Sequence, residues 1–195
     1  MSISLQKGQK VSLSKENTDL SQILIGLGWD KVKKRRWLFA SKPKPIDCDA
    51  SAIMLTNGKL MDKTDVVNYG NPQHKSKAIE HMGDNISSVQ DGDVEQILVD
   101  LAKVPAQYDR IVIVVNIYQA LRRRHQLGLI KNAFIRFVDR DDNMEMCRFN
   151  LTDNYSDMST LILGEIYRHE SEWSFNAIGQ GTNDSDLGEI MSRFI

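Results

Sequence analysis

The sequence is poor in cysteine and proline and has no long apolar run. Its 195 residues include two cysteines, Cys48 and Cys147, and four prolines. Two distant cysteines without a CxxC spacing argue against a disulfide framework and favour free thiols in a reducing compartment. No stretch approaches the roughly 18 apolar residues of a membrane span, and the N-terminal residues lack the apolar core of a signal peptide. We therefore expect no membrane span and a soluble, cytoplasmic protein.

An excess of charge of one sign is also missing. The net charge is −1, which is not typical of a chain that binds nucleic acid or membranes with its whole surface. The hydrophobic fraction of 41% is sufficient for a full core at this length. We expect a single domain over residues 1–195, with a basic loop at about 31–45.

Short apolar runs rich in β-branched residues indicate an all-β fold. Residues 111–115 (IVIVV) are continuously apolar and predict a central strand. Residues 133–138 predict another strand, and residues 161–167 with 173–178 predict a hairpin. The dipeptide Asn57-Gly58 is the strongest short hairpin signal. Many short strands at roughly even spacing predict an antiparallel β-sandwich.

Helical patterns are few. Near the C-terminus, apolar residues recur at helical spacing at Leu187, Ile190, Met191 and Phe194. Asp186 precedes this pattern as an N-cap, with Glu189 three residues later. The pattern predicts a short amphipathic helix that packs on the body of the protein, and residues 119–127 predict a helical turn or two.

Residues 47–55 (DCDASAIML) have the pattern of a strand with two different faces. Alternation places four small or apolar residues on one face, namely Cys48, Ala50, Ala52 and Met54. Three polar residues fall on the other face at the start of the strand, namely Asp47, Asp49 and Ser51. We expect Cys48 and Cys147 to be small buried side chains rather than reactive thiols.

An acidic loop precedes the apolar run at residues 97–99. Its carboxylate and asparagine side chains are those of Asp84, Asn85, Asp91, Asp93 and Glu95. Hard cations such as Ca²⁺ take six to eight oxygen ligands of these types. Gly83 and Gly92 permit the tight backbone such a loop needs. The alternative is a loop whose charges are solvated and whose Asp and Asn residues form turns.

The spacing of this loop is not that of an EF-hand. Asp91-x-Asp93-x-Glu95 is similar to the start of an EF-hand loop, but glycine stands second rather than sixth. Flanking helices are not predicted either.

The chain resembles the TerD family of tellurium-resistance and general-stress proteins over nearly its whole length. The stretches that carry the resemblance are MSISLQKGQKVSLSK, LIGLGWD, DCDASAIML, HMGDNISSVQDGDVEQILVDLAKVP, IVIVVNIYQA, NAFIRFVD and LILGEIYRHESEWSFNAIGQG. So many blocks in the same order make the resemblance specific.

The resemblance implies an all-β sandwich that binds Ca²⁺ and acts without catalysis. It implies that the leading ligand candidates are Asp84, Asn85, Asp91, Asp93 and Glu95. It adds Asp30 in GLGWD, and Asp47 and Asp49 in DCDAS, as further candidates. It also implies that the protein works with other proteins of a Ter-type stress system.

Three features depart from the family pattern. The family's usual GDDE is Gly92-Asp93-Val94-Glu95 here, so one common carboxylate is missing. Gln119 stands where the family often has an acidic residue. A basic stretch, KVKKRRWLFASKPKP, follows Asp30. The first departure bears on the number of ions or their affinity.

The basic stretch raises an alternative function. Residues 31–44 contain seven lysines and arginines, with Trp37 and Phe39 among them. Such a loop can bind phosphates or single-stranded nucleic acid, whereas the simpler interpretation is a solvated loop. The same two interpretations apply to residues 122–124 (RRR).

Catalysis is the third hypothesis. A metal-assisted hydrolase needs an open metal position and a nearby base, and no sequence feature identifies such a base. No Walker A loop, GxGxxG, GxSxG or HExxH motif occurs. The sequence therefore favours a non-enzymatic, cation-binding protein.

Overall fold

Extended segments form most of the regular structure. The computed structural model describes residues 2–14, 21–30, 46–83, 92–170 and 172–195. The strands are β1 Ile3–Leu5, β2 Lys10–Ser12, β3 Gln22–Asp30, β4 Cys48–Leu55, β5 Val66–Val67, β6 Ile79–His81, β7 Glu95–Asp100, β8 Arg110–Ile117, β9 Lys131–Asp139, β10 Glu145–Asn150, β11 Thr160–His169 and β12 Glu172–Thr182. The helices are α1 Ala120–Arg123 and α2 Leu187–Ser192, with 3₁₀ turns at Lys63–Asp65, Leu101–Lys103 and Leu127–Leu129.

The strands form two six-stranded sheets. The first sheet has the order β1-β10-β9-β3-β7-β6, and the second has the order β2-β12-β11-β8-β4-β5. The predicted all-β sandwich is confirmed, and β8 lies in the interior of the second sheet as expected. One pair, β1 with β10, is parallel rather than antiparallel. The sequence held no signal for it, because a three-residue edge strand can pair in either direction.

The core lies between the sheets and contains side chains from both. The inner face of β4 contributes Cys48, Ala50, Ala52 and Met54, as its alternation predicted. Both cysteines are buried free thiols, also as predicted. The other face of β4 is apolar too, at Ile53 and Leu55, and joins a second cluster. Strand β4 is therefore buried on both faces over its second half.

Helix α2 covers that second cluster. Asp186 accepts a hydrogen bond from the Glu189 backbone N–H at 3.0 Å, so the predicted N-cap is confirmed. The apolar stripe of the helix packs on the outer face of the second sheet through Leu187, Ile190, Met191 and Phe194. A helix of six residues is not stable alone, so this packing is what holds it. Neither of the two α-helices in the described ranges has the length and apolar character that a membrane crossing requires.

The hairpin predicted at Asn57-Gly58 is also present. The two residues have φ values of 51° and 75°, and Thr56 and Lys59 exchange backbone hydrogen bonds of 2.9 and 3.0 Å. Left-handed backbone at both central positions is typical of a type I′ turn.

Candidate functional site

One end of the sandwich, here called the acidic end, collects the described candidate residues. Glu95 begins β7 and pairs with Leu27 near the end of β3. Cys48 begins β4 and pairs with Ile117 at the end of β8. The strand directions therefore place Asp30, Asp47, Asp49, Asp93 and Glu95 at this end.

Backbone hydrogen bonds hold the residues on both sides of the acidic loop. Gly83 and Gly92 both have φ of 82°, which confirms their predicted conformational role. Before the loop, the N–H of Met82 donates to the Gln96 carbonyl at 2.9 Å. After it, the N–H of Val94 donates to the Leu27 carbonyl at 2.7 Å. Asp84, Asn85 and Asp91 lie outside the described residues.

Asp93 forms a buried ion pair on the outer face of the first sheet. Arg136 of β9 donates from Nε to one carboxylate oxygen and from Nη2 to the other, each at 2.8 Å. The side chain of Gln96 donates to Asp93 at 2.9 Å. The two charged side chains are 0% and 7% exposed, so the pair is desolvated. Both oxygens of Asp93 thus already accept hydrogen bonds within the protein.

A glycine makes room for this carboxylate. Gly26 of β3 lies between Gln96 and Arg136 in the strand register. A Cβ at this position would overlap the Asp93 carboxylate. Glycine is therefore required at residue 26 because a buried charge occupies the space of a side chain.

Glu95 has a different environment from Asp93. It shares strand parity with Ile97 and Val99, which are fully buried between the sheets. Its Oε2 lies 3.0 Å from Nε2 of His81, without the alignment of a hydrogen bond. The N–H of Gly83 donates to Nδ1 of His81 at 3.0 Å, which leaves Nε2 to carry the proton that faces Glu95. The Asp91-x-Asp93-x-Glu95 motif is thus split, with Glu95 facing inward and Asp93 outward.

The start of β4 adds negative charge to the same end. Burial raises the pKa of the Cys48 thiol, and the charges of Asp49, Asp47 and Glu95 raise it further. The fields of three candidate carboxylates therefore reach one buried thiol. Asp47 also contacts Arg123 of α1, with its carboxylate 3.6 Å from Nη1.

Asp30 is an exposed candidate at this end, as is Asp47. Its carboxylate accepts a hydrogen bond from Nδ2 of Asn132 at 2.8 Å. The basic stretch after it, residues 31–45, falls outside the described ranges.

The candidate side chains are of the type that a hard cation prefers, but the structure describes only some of them. Carboxylates are the preferred ligands of Ca²⁺. Across the ranges that the structure describes, no group of three or more His, Cys, Asp or Glu side chains is arranged to hold a metal ion. The described residues therefore fix the two ends of the acidic loop and place Glu95, Asp47 and Asp49 nearby.

Sequence reasoning missed the residues that support this end. Arg136, Gln96, Gly26 and His81 come from four different strands and form no sequence motif. Only one signal was available, namely the polar Arg136 within the otherwise apolar stretch of β9. Spacing along a chain does not reveal partners across a sheet.

Another buried carboxylate lies at the opposite end of the sandwich. Asp65 accepts hydrogen bonds from Tyr108 at 2.8 Å and from Lys75 at 3.2 Å, and lies 3.4 Å from Nε2 of His74. These contacts tie the turn at residues 72–78 to the start of β8. The cluster was not predicted from the sequence.

The chain is similar to known tellurium-resistance and stress-response proteins. The family model of the TerD domain matches residues 1–194. The chain is 46% identical over 199 residues to stress response protein SCP2 of Bacillus subtilis strain 168, with 100% of both chains covered. It is 40% identical over 182 residues to tellurium resistance protein TerD of Serratia marcescens, covering 93% of this chain and 91% of that protein.

A solved structure is similar in fold. A homologue of telluride resistance protein (TerD) from Streptomyces coelicolor A3(2) superimposes with a TM-score of 0.62 and 16% identity. The match covers 86% of this chain and 94% of that one. At this identity the likeness shows the sandwich fold.

Proposed function

Since the chain belongs to the TerD family of tellurium-resistance and stress-response proteins, we propose that it is a non-enzymatic Ca²⁺-binding member. In this proposal a cation orders the acidic end, and the ordered end forms a contact surface for other proteins of a Ter-type stress system. The family membership is established, and the bound cation and the partner proteins are proposed.

The observation that carries the proposal is the anchoring of the acidic loop on both sides. Met82 and Val94 are hydrogen-bonded to β7 and β3 respectively, and Asp93 is held by Arg136. A loop with fixed ends loses less conformational entropy when a ligand orders it, so its carboxylates bind a cation more tightly.

The candidate ligands take different roles. Asp84, Asn85 and Asp91 supply oxygens from the loop itself, and Glu95, Asp47 and Asp49 supply negative charge from the ends of β7 and β4. Asp93 holds the loop in place, because Arg136 neutralises its charge. Asp30 is a peripheral candidate, since it is exposed and bonded to Asn132.

The alternative is that residues 31–44, with residues 122–124, bind nucleic acid or another anion. The described part of this basic surface is partly committed to internal contacts. Arg123 contacts Asp47 and lies 4.8 Å from the centre of the Tyr118 ring. This alternative predicts binding that falls steeply with salt.

Isothermal titration calorimetry tests the proposal. Chelator-stripped protein is titrated with Ca²⁺, and with Mg²⁺ in parallel. The variant Asp84→Asn/Asp91→Asn removes two loop charges and leaves the Asp93–Arg136 pair intact. A matched control, Asp141→Asn/Asp142→Asn, removes two charges from the exposed turn after β9.

We expect stoichiometric Ca²⁺ binding that the loop variant loses and the control retains. No binding heat for the wild-type protein would contradict the proposal, as would equal loss in both variants. Charge reversal at residues 33–36 separates the alternative, because it should abolish nucleic-acid binding and leave Ca²⁺ affinity nearly unchanged. Metal-dependent turnover of a phosphate ester would favour the enzyme hypothesis instead.

A further inference from the structure

A cavity opens between the two sheets near the acidic end. Its volume is about 120 Å³. Apolar side chains from both sheets line it, among them Leu27, Val115, Leu127, Leu151, Leu161 and Leu163. Of the proposed Ca²⁺ ligands that the structure describes, none lines this cavity.

Protein interiors seldom leave such a volume unfilled. Packing in cores is as dense as in organic crystals, and voids larger than a water molecule are few. Cavities that stay empty in proteins have apolar walls, and the walls here are mainly apolar. A cavity of about 150 Å³ with a similar lining binds benzene or xenon. The volume here suits a single small ring or a branched chain of a few carbons.

Hydrogen bonds fix several of the segments that line the cavity. The N–H of Leu127 donates to the Met158 carbonyl at 2.7 Å, and the N–H of Leu151 donates to the Ala133 carbonyl at 2.9 Å. The hydroxyl of Tyr155 donates to the Gly179 carbonyl at 3.1 Å. These bonds hold the lining segments in place.

A few polar side chains line the cavity, among them Asn132, Asp153, Asn154 and Tyr155. Asp153 forms a surface ion pair with Lys7 at 2.7 Å. Burial, with the charge of Asp153 as a smaller cause, raises the pKa of Tyr155 to about 12, so its phenol remains neutral. The amides of the two asparagines offer hydrogen bonds to a neutral partner.

We propose that this cavity is a binding site for a small uncharged apolar molecule, such as a single aromatic ring or a short branched alcohol. The apolar part fills the space between Leu27, Val115 and Leu161, and one polar group reaches the asparagine amides. Its lining shares no residue with the described part of the proposed cation site, and its ligand is of a different kind.

Methyl NMR on the full chain tests this site. Protein with ¹³C-labelled Leu, Val and Ile methyl groups is titrated with phenol, with toluene, and with cyclohexanol as a bulkier probe. We expect saturable shifts confined to the methyl groups of the lining residues. The variant Ala133→Leu adds carbons at the cavity wall and should weaken phenol and toluene binding at least about tenfold.

The control variant is Ala102→Leu, which makes the same change at an exposed position at the opposite end of the sandwich. It should bind like the wild-type protein. Leu161→Phe fills the cavity from the other sheet and replaces Ala133→Leu if that variant does not fold. Absence of any saturable shift in the folded wild-type protein, or equal binding by Ala133→Leu and Ala102→Leu, would overturn the proposal. Neither result depends on whether Ca²⁺ binds.

Discussion

The guanidinium of Arg136 donates to both carboxylate oxygens of Asp93, and the two side chains are almost fully buried. Arg136 lies within β9, whereas Asp93 lies on the segment that leads into β7. Their pairing crosses β3 at Gly26, where a side chain would prevent it. The contact thus fixes the exit of the acidic loop to the middle of the first sheet.

Replacement of Arg136 by methionine should be strongly destabilising. The change keeps much of the side-chain volume but leaves the Asp93 carboxylate buried without its cation. Removing one partner of a buried ion pair costs roughly 3–5 kcal/mol. Urea unfolding followed by circular dichroism measures this cost.

Arg148→Met provides the matched control. Arg148 pairs with Glu145 on the same face, but its side chain is 27% exposed, so we expect a cost of about 1 kcal/mol or less. Equal destabilisation by the two variants would show that the Asp93–Arg136 pair has no special structural role.

The glycine beneath the pair gives an independent test. In Gly26→Ala the new methyl group would collide with the Asp93 carboxylate, so either the ion pair or the strand must shift. Overpacking of this type costs about 1–3 kcal/mol.

Gly70→Ala is the comparison, because its nearest contact is the Asn68 Oδ1 atom at 3.3 Å. There we expect a change within about 0.5 kcal/mol. Thermal unfolding measures the loss of stability in each of the two variants. A neutral Gly26→Ala would mean that Asp93 can leave its place without cost.

Local patterns predicted much of the fold. Alternation in residues 47–55, the apolar run at 111–115 and the Asn57-Gly58 turn each depend on neighbouring residues, and each is confirmed. The C-terminal helix is confirmed for the same reason, since its cap and stripe lie within nine residues. The parallel pairing of β1 with β10 depends on residues more than 140 positions apart and had no local signal.

The candidate site was less predictable than the fold. The sequence grouped Asp93 with Glu95 because both belong to one motif. In the structure, Asp93 turns outward to Arg136 and Glu95 turns inward to His81. Strand parity begins only at the first residue of β7, so spacing before that point does not determine a common face. The ligand roles of both residues remain predictions.

The buried cysteines give a prediction for alkaline pH. Burial, with the charge of Glu145 as a smaller cause, raises the pKa of Cys147 from 9.0 to about 12. The folded state therefore keeps this proton at a pH where the unfolded chain has lost it. Its contribution to stability is complete below about pH 9 and is lost as pH rises toward about 12.

Comparison of Cys147→Ala with the wild-type protein isolates this effect. Over this pH range the free energy of unfolding should fall less steeply in the variant, by up to about 1.4 kcal/mol per pH unit. Val99→Ala also removes buried carbon atoms but no titrating group, so its slope should equal that of the wild-type protein. Urea unfolding at several pH values measures the slopes, and identical slopes for all three proteins would contradict the prediction.

Calcium should stabilise the protein through Glu95. An ion that binds only the folded state adds about 2.7 kcal/mol when present at about 100 times its dissociation constant. Glu95→Gln keeps the shape of the side chain but removes its charge at the acidic end. If Glu95 contributes to the cation site, Ca²⁺ affinity falls at least about tenfold, which lowers this stabilisation by about 1.4 kcal/mol at the same free concentration.

Glu80→Gln is the control for this experiment, since Glu80 has the opposite parity to His81 in β6 and accepts a hydrogen bond from Gln73. Unfolding is measured for each variant with chelator and with Ca²⁺, and only the difference between the two conditions is compared. This difference removes any effect of Glu95→Gln on the contact with His81 that does not involve the cation. An equal Ca²⁺ gain in wild-type protein, Glu95→Gln and Glu80→Gln would exclude Glu95 from the site. A smaller gain in Glu95→Gln alone would connect the inward-facing carboxylate of β7 to the acidic loop.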